Sequence, residues 1–180
     1  VLYLSVNQFH VLPTNSFTQF VKLESLFLDR NELKTVFKGS FNGLHKLKTL
    51  DMEYNELSYV ELGTFTPLRR LLRLYLFSNK LSILPSHLFS SMDKMTYLTL
   101  GRNQVSELGV DTFGGLKNID VLRLMDENEI AIIHVGAFGF NIKLVLYLSH
   151  NRLTFLPNHV FSNLTNLHTL KISYNMIHNM

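Results

Sequence analysis

The stretch that decides the fold is LYLFSNKLSILPSHLF, residues 74–89. Leu74 and Leu76 stand two apart, as in a strand that buries one of its two faces. Asn79 follows three residues after the second leucine, and Pro85 and Phe89 complete the stretch. The same order of residue types returns along the whole chain, which indicates that this stretch is one unit of a repeat.

The repeat is about 24 residues long and is marked by a column of eight asparagines. They recur at intervals of 24, 24, 24, 24, 25, 23 and 24 residues: Asn7, Asn31, Asn55, Asn79, Asn103, Asn128, Asn151 and Asn175. Two apolar residues, two apart, precede each asparagine, and a phenylalanine follows ten residues after it in every complete repeat. Because so short a unit cannot bury its own core, each repeat is predicted to be one coil of a solenoid, with a parallel strand, a turn and a return segment.

The asparagine and phenylalanine columns predict how the coils are held together. A carboxamide is short and carries both a donor and an acceptor. Turned inward, it can bond the backbone of adjacent coils, where an unpaired buried group would cost about 1–3 kcal/mol. We therefore expect a ladder of asparagines and a continuous spine of phenylalanines along the solenoid.

The pattern L-x-x-L-x-L-x-x-N-x-L-x-x-L-P-x-x-x-F-x-x-L, fullest in residues 23–44 and 71–92, resembles the leucine-rich repeat family. The L-P-x-x-x-F segment is similar to the typical subclass found in Toll-like receptors, variable lymphocyte receptors, platelet glycoprotein V and the carboxypeptidase N regulatory subunit. The resemblance implies an α/β fold, a curved horseshoe with a parallel β-sheet on the concave face and irregular or short helical returns on the convex face. It also implies an extracellular protein, either secreted or the ectodomain of a membrane-anchored chain.

Residues 1–180 are predicted to form a single domain of about seven and a half repeats. The chain starts inside a strand and ends partway through a repeat, so we expect a fragment that lacks both terminal caps. An extra residue between Leu124 and Asn128 and a missing one between Phe138 and Leu146 predict a bulge at 125–127 and a shortened return through 139–143. Such a bulge either re-aims side chains toward a ligand or is an insertion tolerated on a loop; we favour the second interpretation.

Charge and composition favour a protein partner. The 17 Lys and Arg and 14 Asp and Glu residues are spread along the chain and give a net charge of +3, so neither a nucleic acid nor a membrane surface is indicated as a partner. No apolar run approaches the ~20 residues that span a bilayer, so no direct membrane insertion is expected. The oligomeric state has no sequence signal.

Catalysis by this chain is not expected. The eight histidines lack metal-ligand spacing, no G-x-S-x-G segment is present, and the nine glycines form no phosphate-binding cluster. With zero cysteines, thiolate chemistry is excluded as well. The sequence thus predicts a non-enzymatic chain with no catalytic residue, no metal site and no cofactor.

The candidate ligand-binding residues are those around each L-x-L segment that point out of the concave sheet. Aromatic and arginine side chains are favoured at the energetic centres of protein interfaces. The candidates are Tyr3, Phe27, Asp29, Arg30, Asp51, Glu53, Tyr54, Arg73, Tyr75, Phe77, Tyr97, Arg102, Arg123, Asp126, Tyr147, His150, Lys171 and Tyr174. An acidic cluster of Asp29, Asp51 and Glu53 is expected beside the aromatic residues. The alternative is a solvated strand face that carries these residues without a partner.

Two functions remain open at this level. The main hypothesis is a recognition module that binds a protein ligand through its concave face; the alternative is a structural or carrier subunit that stabilises an associated enzyme or receptor complex. Eight strands of five residues would give an inner face of roughly 34 Å by 17 Å, open and shallow, which suits a protein better than a small metabolite. The triplet Asn163-Leu164-Thr165 is a glycosylation acceptor if the chain is secreted.

Overall fold

The computed structural model describes residues 1–124, 128–139 and 144–178. Within these ranges the chain forms a solenoid of about seven turns, built from short strands. The strands are β1 (Leu2–Tyr3), β2 (Ser25–Phe27), β3 (Thr35–Val36), β4 (Thr49–Asp51), β5 (Tyr59–Val60), β6 (Arg73–Tyr75), β7 (Tyr97–Thr99), β8 (Glu107–Leu108), β9 (Val121–Arg123), β10 (Ile132–Ile133), β11 (Leu144–Tyr147) and β12 (Leu167–Lys171).

Eight of these strands form one parallel sheet in the order β1-β2-β4-β6-β7-β9-β11-β12, which is the predicted concave sheet. From β1 to β11, paired residues are equivalent residues of successive repeats, as Leu50 and Leu74 are. The ladder continues beyond the strands: the amide of Leu28 donates to the carbonyl of Asp51 (2.8 Å), and that of Arg30 to the carbonyl of Glu53 (2.9 Å). The sheet therefore approaches the width expected from five-residue strands.

The opposite side of each coil is irregular. Two small parallel pairs, β3 with β5 and β8 with β10, lie between an asparagine and the phenylalanine that follows it. The returns are consecutive turns, in which the amide of Leu44 donates to Phe41 and that of Leu47 to Leu44. The part of the chain that the structure describes contains no helix, so of the two predicted forms of return the irregular one is observed.

Leucines and phenylalanines of successive coils form one continuous core. The strand leucines such as Leu50, Leu74 and Leu98 are fully buried. The phenylalanine spine is confirmed: rings of adjacent coils stack with centroids 5.8–6.2 Å apart from Phe41 to Phe138, and Phe161 continues the row at 5.9 Å.

The asparagine ladder is also confirmed, and six of the eight asparagines are buried. Nδ2 of Asn103 donates to the carbonyl of Leu76 in the preceding coil (3.0 Å) and to that of Leu100 in its own coil (2.9 Å). Its Oδ1 accepts the amide of Leu81 in the preceding coil (3.0 Å). One side chain thus satisfies backbone groups of two coils.

The residue directly before the asparagine has a left-handed backbone in all seven repeats in which the structure describes it, a feature the sequence did not predict. The φ angles are 50–56° at Val6, Arg30, Tyr54, Ser78, Arg102, His150 and Tyr174. None is a glycine, and left-handed backbone is unfavourable for a β-branched residue such as Val6. The amide of this residue donates the last regular hydrogen bond between neighbouring concave strands, as that of Arg30 does to Glu53. The strand therefore ends at the asparagine that follows.

The predicted bulge at 125–127, and residues 140–143 of the predicted short return, lie outside the described residues. An irregularity is present nearby, between β11 and β12. There Leu144 pairs with Leu167, whereas Val145 pairs with Thr169, so the register changes by one residue.

We expect Asn103→Ala to lower the free energy of unfolding by about 1–3 kcal/mol, because it leaves the buried amide of Leu81 without its acceptor. It also removes one of the two asparagine donors to each of the carbonyls of Leu76 and Leu100. Chemical denaturation measures the change. Gln104→Ala is the matched control, since it removes an exposed amide from the neighbouring position. Equal stability of the two variants would contradict the ladder.

We expect Gly115→Ala to destabilise the protein by about 1–3 kcal/mol and Gly114→Ala by less. A Cβ on Gly115 would lie 2.3 Å from the carbonyl oxygen of Phe89 and 2.5 Å from Cα of Ser90, backbone atoms of the preceding coil. A Cβ on Gly114 would instead meet Oδ1 of Asp111 at 2.8 Å, and that side chain can rotate away. Thermal unfolding measures the destabilisation of both variants. A larger loss for Gly114→Ala than for Gly115→Ala would show that the coils are less closely packed at Gly115.

Candidate functional site

The concave sheet carries a depression of about 690 Å³ that is open to solvent. It lies over the strands β2, β4, β6, β7 and β9, so five adjacent coils contribute to it. Its lining consists of Phe27, Thr49, Asp51, Glu53, Tyr54, Arg73, Tyr75, Phe77, Tyr97, Thr99, Gly101 and Arg123. The face is therefore deeper here than the open, shallow surface that the sequence predicted.

Aromatic rings of neighbouring coils contact one another in this depression. Tyr75 and Tyr97 have ring centroids 5.4 Å apart, and Tyr54 meets Phe77 edge to face at 5.7 Å. At the β1 side, Tyr3 stacks on Phe27 at 4.9 Å. Such pairs add about 0.5–1.5 kcal/mol beyond their buried area, so each ring is held in place by its neighbour.

Four basic side chains lie over aromatic rings of the same face. Arg30 is 5.1 Å from the ring centroid of Tyr54, and Arg102 is 5.5 Å from that of Phe77. Arg123 and Lys171 both approach the ring of Tyr147, at 5.2 Å each. These cation–π contacts limit the rotamers of the basic side chains before any ligand arrives.

Asp29, Asp51 and Glu53 form the acidic cluster that the sequence predicted. Oδ1 of Asp51 accepts the backbone amide of Glu53 (3.0 Å), and the hydroxyl of Thr99 donates to Oε1 of Glu53 (3.2 Å). The carboxylate of Asp29 accepts the hydroxyl of Ser5. The three carboxylates thus come from two adjacent coils, those of β2 and β4, and Asp51 and Glu53 line the depression.

Burial and mutual repulsion both act on these carboxyl groups. Burial raises the pKa of Asp51, the amide of Glu53 opposes that shift, and the charge of Asp29 adds to it. Burial also raises the pKa of Glu53, to which the charge of Asp51 contributes further. The ionised forms are therefore less favourable here than in water.

Half of the predicted binding residues line the depression: Phe27, Asp51, Glu53, Tyr54, Arg73, Tyr75, Phe77, Tyr97 and Arg123. Tyr3, Asp29, Arg30, Arg102, Tyr147 and Lys171 adjoin it through the contacts described above. His150 and Tyr174 stack on each other at 4.3 Å, near the β12 edge and outside the depression. Asp126 lies outside the described residues, and Asn163 lies in the turn after Phe161, in the return segment.

Three lining residues were not among the predicted ones: Thr49, Thr99 and Gly101. Thr99 and Gly101 occupy the same outward positions as Tyr75 and Phe77 of the preceding coil. Their small size leaves room between larger side chains, and Thr99 is only 6% exposed. A search for small residues in the outward columns would have found this deepening.

The described residues contain no group of three or more His, Cys, Asp or Glu side chains able to hold a metal ion. They also contain no helix long and apolar enough to cross a membrane.

We expect Asp51→Asn to raise the thermal midpoint at neutral pH. Because the raised pKa means that the folded state binds the proton more tightly than the unfolded chain, the ionised carboxyl destabilises the fold above its folded pKa. This penalty is absent below the unfolded pKa of about 3.9, so the gain should vanish near pH 3. Asparagine keeps the oxygen that accepts the amide of Glu53.

Glu24→Gln is the control with the opposite sign, because a hydrogen bond from Lys48 lowers the pKa of Glu24. The ionised carboxylate of Glu24 therefore stabilises the fold above its unfolded pKa, and this stabilisation is lost on acidification. Glu24→Gln should accordingly lower the thermal midpoint at neutral pH. Thermal unfolding from pH 3 to pH 7 measures both variants. A lower midpoint for Asp51→Asn at neutral pH would contradict the electrostatic account of the cluster.

Comparisons with known proteins agree with this geometry. The leucine rich repeat family model matches residues 1–57, 22–81, 54–105 and 144–180. Among the solved structures, a Toll–Spatzle complex of Drosophila is similar to the chain with a TM-score of 0.86, at 23% identity, over 97% of this chain and 24% of that chain. A search of the curated proteins finds no match.

Two further structures show the same fold. A leucine-rich repeat protein of Leptospira interrogans has a TM-score of 0.76 and 28% identity, over 96% of this chain and 42% of that chain. The TLR13–ssRNA13 complex has a TM-score of 0.69 and 24% identity, over 93% of this chain and 27% of that chain. The chain spans less than half the length of each of these proteins. With the repeat, the asparagine ladder and the family match in agreement, the chain belongs to the leucine-rich repeat family.

Proposed function

We propose that the chain is a non-enzymatic recognition module of an extracellular protein and binds a protein ligand through its concave face. The observation that carries this proposal is the depression of about 690 Å³, in which aromatic and charged side chains from five coils meet. Tyrosine, phenylalanine and arginine bury a large area for little lost rotamer freedom, which is why interfaces favour them.

Preorganisation supplies the affinity in this proposal. The rings of Tyr54, Tyr75 and Phe77 are already in contact with neighbouring rings, and Arg30 and Arg102 already lie over theirs. Ordering a free side chain on binding costs about 0.5–1.5 kcal/mol, so side chains ordered in advance save that cost.

A protein ligand suits the face better than a nucleic acid. Phosphate backbones bind where lysine and arginine dominate, whereas the lining of this depression balances Arg73 and Arg123 with the carboxylates of Asp51 and Glu53. One similar structure is a complex with ssRNA13 and another is a complex with Spatzle, so both kinds of ligand occur on this fold. The carboxylates favour the second kind for this chain.

An extracellular location fits the similarity to Toll, and it makes Asn163 a proposed glycosylation site. Asn163 lies in a return turn, away from the concave strands, and it is partly exposed. A glycan there would leave the depression free. Residues 1–180 would act in this proposal as a single domain.

The test is affinity capture from native extracellular extract with the 180-residue chain, analysed by quantitative mass spectrometry. We expect a protein partner that is retained by the wild type and lost from the Phe27/Tyr54/Tyr75/Phe77→Ala variant. Because aromatic residues at the centre of an interface contribute about 2 kcal/mol or more each, the loss should exceed roughly 30-fold.

The matched control is Tyr59/Leu62/Ile83/Val110→Ala, which removes four exposed apolar side chains that lie outside the depression. It should retain the partner. Equal capture by both variants would place the binding site elsewhere on the chain. Capture that is abolished by ribonuclease would show a nucleic-acid ligand and overturn the proposal.

A further inference from the structure

The acidic cluster of the depression is only partly compensated by the protein's own charges: burial and the neighbouring carboxylates keep the pKa values of Asp51 and Glu53 raised, although the charge of Arg123 lowers the pKa of Glu53. Ion pairs in the described part of the chain include His10–Glu32, Lys48–Glu24, Lys80–Glu56, His134–Glu107 and Arg152–Glu129. None of them includes the carboxylates of Asp29, Asp51 or Glu53. Each of the three instead accepts a neutral hydroxyl or amide.

The fold holds these like charges together at a cost. Parallel register places equivalent positions of successive coils side by side, and Asp29 and Glu53 are equivalent, with Asp51 two residues before Glu53; the charge of Asp29 acts on both of the others. Carboxylates at such positions repel one another and lose part of their hydration when half-buried. A cation brought by a ligand would remove the repulsion and compensate the lost hydration.

Aromatic rings stand beside the carboxylates and define which cation fits. Tyr75 lies next to Asp51 in register, and Tyr54 and Phe77 complete that part of the lining. A lysine or arginine side chain carries an apolar stem that packs along such rings and a charged end that reaches a carboxylate. A bare metal ion would gain nothing from the rings, and the described carboxylates form no metal-binding group.

This face already binds cationic side chains in the same way. Arg30 over Tyr54 and Arg102 over Phe77 show that its rings accept a guanidinium at 5.1–5.5 Å. The depression of about 690 Å³, which the rings of Tyr54 and Phe77 line together with Asp51 and Glu53, has space for a further side chain.

We propose that the depression receives a lysine or arginine side chain of the protein ligand, with the charged group against Asp51 and Glu53 and the stem along Tyr54, Tyr75 and Phe77. The inference rests on the proposed function and names the chemistry that the ligand must present there. Charge complementarity of this kind sets which partners are accepted and in which orientation.

The probe is a library of random dodecapeptides displayed on phage and selected against the 180-residue chain at physiological ionic strength. Selected peptides are then synthesised in two forms, with the basic residue intact or replaced by an uncharged one of similar size: norleucine for lysine, citrulline for arginine. Their affinities are measured for the wild type and for Asp51→Asn/Glu53→Gln. Glu61→Gln/Asp93→Asn is the control, since it removes one glutamate and one aspartate outside the depression.

We expect the selected peptides to share a lysine or arginine, and its replacement to weaken binding by about tenfold or more. The Asp51→Asn/Glu53→Gln change should weaken the intact peptide by a similar factor, with little further loss when both changes are combined, because they remove the same contact. The control variant should bind like the wild type. The peptide replacement leaves the chain unchanged, so its effect cannot come from misfolding.

Other results overturn the inference in distinguishable ways. Peptides that lack a basic residue, or that lose nothing on its replacement, would refute it; if they still lose binding to the Phe27/Tyr54/Tyr75/Phe77→Ala variant, the proposed function stands. Peptides insensitive to both sets of changes, or no selected peptide at all, would count against the inference and the proposed function together.

Discussion

The rest of the structure depends on the hydrogen bonds of the buried asparagine side chains. Where the concave strands end, the backbone is left-handed at the residue before the asparagine in each repeat in which that residue is described. Asn103 satisfies Leu76 and Leu81 of the preceding coil and Leu100 of its own coil. Stacked leucines alone would bury apolar area in many registers, whereas these directional bonds permit one. The ladder therefore fixes the spacing of the coils.

That fixed spacing determines the chemistry of the concave face. Side chains at equivalent or neighbouring positions of successive coils meet at strand separation, so attractive and repulsive pairs arise from the same geometry. Tyr75 packs on Tyr97, and Arg123 lies over Tyr147. Asp51 is placed close enough to Asp29 for its pKa to respond to that charge. A stiff face with ordered rings and only partly compensated carboxylates is suited to a ligand that brings an apolar surface and a positive charge.

The sequence alone was enough to predict those structural features that follow from the repeat itself. The positions of the leucines, Asn103 and Phe113 in the period predict the sheet, the ladder and the spine, since each requires only that one coil stack on the next. It was insufficient for the left-handed residues, because Val6, Arg30 and Ser78 share no chemical type. The sequence also did not predict the depth of the depression. That depth depends on Thr99 and Gly101, which are smaller than the side chains that surround them in the folded structure. Their column positions were visible, but the gap between large side chains was not.

Residue-resolved hydrogen exchange of the free chain tests the central claim most directly, that buried asparagines hold the coils and with them the concave face. The informative amides are those of Leu33, Leu57 and Leu81, which donate to an asparagine Oδ1 of the next coil. The account predicts that they exchange as slowly as the sheet amides of Leu28 and Met52, through opening of the whole stack. Exchange at the rate of the exposed return turns would show that the ladder opens locally, and would contradict the claim.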